Sequence, residues 1–290
     1  MTPLHECDDP AEDEARLASA AAGRLTASVR RRAALARGLC TVAALALPGL
    51  SLPVRANLPD LIERAKPSVV IVGTFNPTDN PRFALKGTGF VVGDGNLVVT
   101  NAHVLTDGAN AAAGGPGTRQ VVQVWQGPRQ WQMRSASVVS VDRARDLALL
   151  RFDGPPAPVL PLAEPATIRE GQSIAFIGFP IGGVLGYAHV THRGIISSIT
   201  TIALPAQRAG QLNERAVQRL SEGPFEILQL DAVAYPGNSG GPVFNADTGE
   251  VVGVINMVMV KGTRESALSN PTGLTYAVPV RFVRELLERR

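Results

Sequence analysis

Pro236-Gly237-Asn238-Ser239-Gly240-Gly241-Pro242 places one serine at the centre of a glycine-rich bend between two apolar segments. Glycines let the backbone turn so that two N–H groups, expected from Gly237 and Ser239, point at the oxygen that turns negative when the serine hydroxyl attacks a carbonyl. Each such donor is worth about 3 kcal/mol to a developing oxyanion. A hydroxyl is a poor nucleophile without a base, and otherwise the segment is only a glycine-rich hairpin with a passive serine. The chain has four histidines, His5, His103, His189 and His192. His103 closes the run Val98-Val99-Thr100-Asn101-Ala102-His103-Val104, where a buried strand can hold an imidazole rigidly, and it is the candidate base. His189 and His192 have His-x-x-His spacing but no other metal-ligand residue type nearby. They are read as surface or loop residues, and neither metal nor cofactor is expected.

The third group needed is a carboxylate that fixes the imidazole tautomer and stabilises the imidazolium. In Asp142-Arg143-Ala144-Arg145-Asp146-Leu147-Ala148-Leu149-Leu150, Asp146 directly precedes an apolar strand. Its side chain can enter the interior while Asp142, Arg143 and Arg145 stay wet. Asp142 is the runner-up, with a turn role as its ordinary explanation. Chain order separates enzyme classes, because Gly237 to Gly241 also satisfies the G-x-S-x-G pattern of α/β-hydrolases. Those enzymes need a histidine after the serine, and none lies beyond His192. His, then Asp, then Ser is the trypsin-like order.

The elements that must position these groups are mostly strands. Pro59 suits a first helical turn, Leu58, Leu61, Ile62 and Ala65 share a face, and Lys66-Pro67 ends that short helix. Apolar, β-branched runs follow at 69–72, 89–92, 97–100, 121–125, 137–141 and 147–152, separated by Gly, Pro, Asn and Asp. After the Pro-rich break 154–161 a second series runs through 173–177, 189–199, 227–230, 243–244, 251–260 and 275–278. Two sets of short strands with almost no helix between them predict two antiparallel barrels or sandwiches, not a parallel α/β sheet. Pro279 opens a final helix whose Val280, Val283, Leu286 and Leu287 form one stripe, expected to pack on the second set. Leu212, Ala216 and Leu220 repeat at helical spacing within 204–224 and read as a surface insertion.

Hydrophobic residues make up 45 % of the chain and charged ones 18 %, which excludes a disordered or fibrous protein. The net charge is +3 and the basic residues are scattered, so no nucleic-acid partner is expected. Residues 1–56 have the layout of an export signal. Arg30, Arg31 and Arg32 precede an apolar stretch from Leu39 to Leu52, and Ala56 supplies the small residue before a cut. The expected mature start is Asn57, with an uncleaved anchor as the alternative and membrane contact only in that case. The basic region is long, which suggests either a start codon downstream of Met1 or a nonstructural extension at the start, and the adjacent arginines leave a twin-arginine signal open. Cys7 and Cys40 both fall in this leader, so no disulfide is expected after it. Arg37-Gly38-Leu39 lacks the small residue a lipoprotein needs directly before Cys40.

The motifs together resemble the HtrA/Deg family of envelope serine proteases. They are Gly87-Thr88-Gly89-Phe90, Thr100 to Val104, Asp146-Leu147-Ala148, Gly178-Phe179-Pro180, Gly194-Ile195-Ile196-Ser197, Pro236 to Pro242, and Tyr276-Ala277-Val278-Pro279 before the last helix. The resemblance implies an all-β, chymotrypsin-like fold of two six-stranded antiparallel barrels with short terminal helices, divided at 57–165 and 166–290. It implies a catalytic triad of His103, Asp146 and Ser239 between the barrels, and an oxyanion hole of Gly237 and Ser239 N–H groups. Peptide hydrolysis of unfolded or damaged envelope proteins through an acyl-enzyme follows, in a periplasmic or secreted protein.

Only the protease domain is matched, so nothing is carried over from the C-terminal PDZ domains typical of that family. The long 204–224 segment makes the homotrimer seen in relatives a looser expectation. Ile71-Val72-Gly73 resembles the new terminus of an activated zymogen, but that mechanism needs an aspartate where Asn238 stands, so activity without propeptide cleavage is expected. Val233, six residues before Ser239, replaces a charged selector, and 254–260 offers only apolar and amide side chains. Small or medium aliphatic P1 residues are therefore expected. Glutamyl specificity is the alternative within the fold, and a non-proteolytic chaperone or scaffold is the alternative outside catalysis.

Overall fold

Strict alternation in the apolar runs sends successive side chains to opposite faces, and in the computed structural model both faces find a core. The structure describes residues 57–105, 117–180, 186–202, 225–256 and 274–289. The leader 1–56, the insertion 204–224, residues 106–116 and residues 257–260 of the expected 251–260 strand lie outside these.

The first six strands are β1 (Val69–Phe75), β2 (Phe83–Val92), β3 (Leu97–Thr100), β4 (Arg119–Gly127), β5 (Gln130–Asp142) and β6 (Leu147–Phe152). They close into a barrel in the order β1-β2-β3-β6-β5-β4. The next six are β7 (Ser173–Gly178), β8 (Val190–Ile202), β9 (Phe225–Asp231), β10 (Pro242–Asn245), β11 (Val251–Asn256) and β12 (Leu274–Pro279). They close in the order β10-β11-β12-β9-β8-β7, and every named pairing in both barrels is antiparallel. The chain is thus all-β with two six-stranded barrels, as the motifs implied. Closure leaves neither sheet with a free edge.

Val70, Val72, Val91, Val98, Val122, Val124, Leu150 and Phe152 form a buried cluster confined to the first barrel. Their neighbours in sequence, Val69, Ile71, Phe90, Val92, Val99 and Leu149, face the other way into a core shared with Ile174, Phe176, Leu228, Phe244 and Val254 of the second barrel. One alternating pattern therefore both fills a barrel and joins it to its neighbour. Ile71 is 0 % exposed in the middle of β1, paired with Thr88 and Gln123, so the Ile-Val-Gly segment is an interior strand.

Helix α1 (Leu58–Ala65) has Pro59 in its first turn and buries Leu61, Ile62 and Ala65, as the spacing predicts. Helix α2 (Val280–Glu288) follows β12 directly and buries Val280, Phe282, Val283 and Leu286. It packs on β11 and β12, but also reaches β5 and β6 of the first barrel, which the stripe alone did not predict. Arg145 lies 4.4 Å over the Phe282 ring and 3.8 Å from Glu285, and Arg289 comes within 3.7 Å of Asp142. The expectation that Asp142 stays wet is corrected here. Its side chain is only 9 % exposed, caps the 142–146 turn at Arg145 N (3.1 Å) and pairs with the Arg145 guanidinium at 2.7 Å.

Candidate active site

Asp146 leaves the 142–146 turn with φ of 56°, a left-handed conformation rare for a residue with a side chain. Its own hydrogen bonds hold it there. The Asp146 carbonyl accepts from Asn101 Nδ2 at 2.9 Å and from Ala102 N–H at 3.1 Å. Both carboxylate oxygens are also engaged: Oδ1 accepts from His103 N–H at 2.9 Å, and Oδ2 accepts from His103 Nδ1 at 2.6 Å and from Asn256 Nδ2 at 3.1 Å. An ionised carboxylate can only accept, so the His103 proton sits on Nδ1 and Nε2 is left with a lone pair. His103 is carried by a single turn (Ala102–Val104) after β3, and its side chain is 29 % exposed. A base needs that half-open setting.

Ser239 is 6 % exposed and comes from the second barrel. Close backbone contacts bring it to the His103 segment. Ser239 O accepts from Thr88 N–H at 2.8 Å. A methyl group on Gly87 would lie 2.9 Å from Ser239 O and 2.7 Å from Val104, the neighbour of His103, so this glycine is required by the approach of the two segments. Gly240, at φ +85°, lies so close to β2 and β3 that an added carbon would be 2.1 Å from Thr88 O and 3.1 Å from Asn101 N. Gly240 N–H donates to Ile255 O at 3.0 Å, next to the Asn256 that bonds Asp146. The structure thus brings His103, Asp146 and the Ser239 turn together at the junction of the barrels.

Within that turn Asn238 N–H donates to Tyr235 O and Gly241 N–H to Asn238 O, both at 2.9 Å. Among the described residues, no acceptor is bonded to the N–H of Gly237 or of Ser239. Gly237 adopts φ +104° and its Cα lies against Phe179 O, where a side chain would clash at 2.2 Å. Thr88 fastens the same turn from the first barrel: its hydroxyl donates to Gly237 O at 2.6 Å and accepts from Phe179 N–H at 3.2 Å, while Thr100 Oγ1 donates to Thr88 O at 2.7 Å. Val233 is half-buried between the buried Ala232 and Ala234. Thr275 Oγ1 holds that stretch, donating to Ala232 O at 2.6 Å and accepting from Ala234 N–H at 3.0 Å.

Two functional groups escaped sequence reasoning. The sequence offers Asn256 only as an amide in a specificity wall, whereas its side chain turns to Asp146; the one signal is an amide at the end of the apolar run Val251–Ile255. Thr88 lies in the Gly87-Thr88-Gly89-Phe90 motif, and nothing local in the sequence assigns it a role. The reading of His189 and His192 as surface or loop residues holds in part: His189 lies in the loop just before β8 and His192 within β8, and both are half-buried under aromatic neighbours. His189 is packed among Phe179, Trp131 and Trp125 at 4.9, 5.1 and 5.8 Å between ring centroids. Its Nε2–H donates to Val69 O at 3.3 Å, and burial, with Lys66 adding to it, pushes its pKa down to about 4. His192 stacks on Phe176 at 4.6 Å, and burial lowers its pKa too. Aromatic neighbours half-bury both rings. Among the described residues, no group of three His, Cys, Asp or Glu side chains is arranged to hold a metal ion.

Known proteins with the same features are consistent in kind. The chain is 32 % identical over 209 residues to mitochondrial serine protease HTRA2 of Drosophila willistoni, covering 72 % of this chain and 39 % of that protein. It is 32 % identical to the Bos taurus protein of the same name, covering 79 % and 42 %, and 30 % identical to serine protease HTRA3 of Homo sapiens, covering 80 % and 45 %. The chain therefore spans less than half the length of these relatives. Among solved structures it is similar to the HtrA-type protease AlgW with a decapeptide (TM-score 0.58, 22 % identity, 80 % of this chain and 67 % of that one) and with a tripeptide (TM-score 0.56, 23 % identity, 80 % and 62 %). At that identity the likeness is one of fold. The model for the trypsin-like peptidase domain matches residues 87–254, more than half the chain and all three of the residues brought together above. The chain belongs to the trypsin-like peptidase family, with HtrA-type serine proteases as its relatives.

Proposed function

We propose that this chain is a serine endopeptidase that uses His103, Asp146 and Ser239 as its triad. The observation that carries the reading is the pair of bonds from His103 to Asp146, which leaves Nε2 as a free base beside the Ser239 turn. His103 Nε2 takes the Ser239 proton as Oγ bonds to the scissile carbonyl carbon, and the carbonyl π pair moves to oxygen. The N–H groups of Gly237 and Ser239 donate to that oxyanion. Collapse expels the leaving amine, protonated by His103, and gives the acyl-enzyme. Water, deprotonated by His103, releases the acid and restores Ser239. Asp146 stays ionised and stabilises the imidazolium, with Asn256 completing its hydrogen bonds. A non-proteolytic scaffold has no use for this orientation of His103.

Substrate and setting are part of the same proposal. The protease domain comprises residues 57–290, with barrel halves at 57–165 and 166–290, behind an export leader at 1–56. The substrates are unfolded or damaged proteins of the envelope, met in a bacterial periplasm or after secretion, by a protein able to form a homotrimer. Between Ala232 and Pro236 there is no charged side chain to select a charged P1 residue, which supports cleavage after small or medium aliphatic residues. Digestion of casein by purified 57–290 protein, followed by mass spectrometry of the fragments, tests this directly. Aliphatic P1 residues are expected, with no cleavage by Ser239→Ala. Cuts mainly after Lys, Arg or Glu would overturn the specificity, and equal cleavage by Ser239→Ala the mechanism.

A further inference from the structure

His192 has no part in the mechanism above, yet its ring ends at the residue between the two proposed oxyanion donors. His192 Nε2 lies 3.3 Å from Asn238 Nδ2. Asn238 is 0 % exposed, and its amide lies flat against Gly178, where an added methyl group would come within 2.5 Å of Oδ1. Oδ1 has no hydrogen-bond partner, so the contact to His192 is the one polar tie of this side chain among the described residues. The His192 ring is in turn held nearly parallel to Phe176, at 4.6 Å and 16°. Reversing the amide would turn two N–H donors, instead of one carbonyl, toward Gly178 without an acceptor, and a buried unpaired donor is the less tolerated of the two. Asn238 therefore donates and His192 accepts through a bare Nε2, which places the imidazole proton on Nδ1.

We infer that His192 is a positioning residue: as a neutral acceptor for Asn238 it pins the side chain between Gly237 and Ser239 and keeps their N–H groups aimed at one point. The inference rests on the serine-protease reading. Asn238 has its backbone fixed through Tyr235 and Gly241, so its side chain is the remaining freedom of the turn. A protonated His192 can no longer accept, and the Asn238 amide is then released. Among the described residues, the groups facing the ring are Phe176 from β7 and Asn238 and Tyr235 from the turn, the Tyr235 phenol ring at 6.0 Å being the titratable one. Arg193, next along β8, is exposed on the alternate face. Burial alone lowers the pKa of this imidazole, so the neutral acceptor prevails at neutral pH and is lost only in acid.

The test is the second-order rate of inactivation by a fluorophosphonate between about pH 5 and pH 9 for wild type, His192→Gln and His192→Leu, with near-UV circular dichroism to verify folding at each pH. In the wild type the acid limb steepens to depend on one proton more than the serine–histidine chemistry itself requires. Gln offers an acceptor that does not titrate: its rate is about threefold lower at high pH and its acid limb follows one proton throughout. Leu offers none and is slower by about tenfold at every pH, also with a one-proton limb. A Gln variant that steepens like the wild type, a wild type that never steepens, or a Leu variant as fast as the wild type overturns the inference and leaves the serine-protease reading standing. A folded wild type that does not react at any pH overturns that reading and the inference with it.

Discussion

Thr88→Val removes one hydroxyl from the junction of the barrels and keeps the side-chain shape. The hydroxyl is 0 % exposed with its residue and serves two partners, Gly237 O at 2.6 Å and Phe179 N–H at 3.2 Å, neither of which gains an alternative from a methyl group. Leaving a buried carbonyl and a buried N–H unpaired costs about 1–3 kcal/mol each, so the fold loses roughly 2–6 kcal/mol, read as a lower urea midpoint. The catalytic effect is separate. Gly237 O belongs to the peptide unit between the two proposed donors, and loss of a whole oxyanion donor costs about 100- to 1,000-fold in kcat, which bounds the effect from above. Partial loss of alignment is expected to lower kcat by about tenfold or more with KM changed by less than about threefold, since the substrate ground state does not use the oxyanion donors. Thr88→Ser keeps the hydroxyl and loses one methyl, so it should return most of kcat at a stability cost of about 1 kcal/mol. A folded Thr88→Val enzyme with wild-type kcat on a peptide substrate would refute the assignment of Thr88 as the clasp on the oxyanion turn.

Asn256→Leu removes the amide that bonds Asp146 Oδ2 and leaves the two His103 bonds in place, so kcat/KM should fall by about tenfold rather than to background; a variant as inert as Ser239→Ala would show that Asn256 does more than support the carboxylate. His189 binds its proton near the ordinary 6.5 in the unfolded chain and only at about 4 in the fold. Its contribution to stability is therefore complete above about pH 6.5 and declines as pH falls, with about 3 kcal/mol lost by about pH 4. Urea midpoints of wild type and His189→Phe across that window should differ in slope by one proton, and parallel slopes would contradict the burial argument. Gly240→Ala would force a carbon against Thr88 O from a positive-φ position, and soluble folded protein from that variant would contradict the close approach of the barrels.

Much of this was legible because period-two alternation and turn residues are local. The runs at 97–100 and 147–152 reappear as β3 and β6 with the same limits, and strands such as β1, β2, β4 and β5 extend their runs at the ends, where pairing with a neighbour decides the boundary. His103 and Asp146 could be singled out by their place at strand ends. What stayed hidden was set by partners distant in sequence. Asn256 meets Asp146 across 110 residues and Thr88 meets Gly237 across 149, and neither side chain announces its partner locally. The half-burial of the histidine pair stayed hidden for the same reason: Trp131, Phe179 and Phe176, which cover those rings, come from β5 and from β7 or just after it. Asp142 carried a turn signal, but its burial depends on α2, which arrives more than a hundred residues later.

Fluorophosphonate labelling of the purified 57–290 protein beside Ser239→Ala and His103→Ala bears most directly on the site. One adduct mapped to Ser239 in the wild type, with labelling lost in both variants, is the expected result. A folded wild type that takes no label, or a label that persists in Ser239→Ala, would contradict Ser239 as the nucleophile activated by His103.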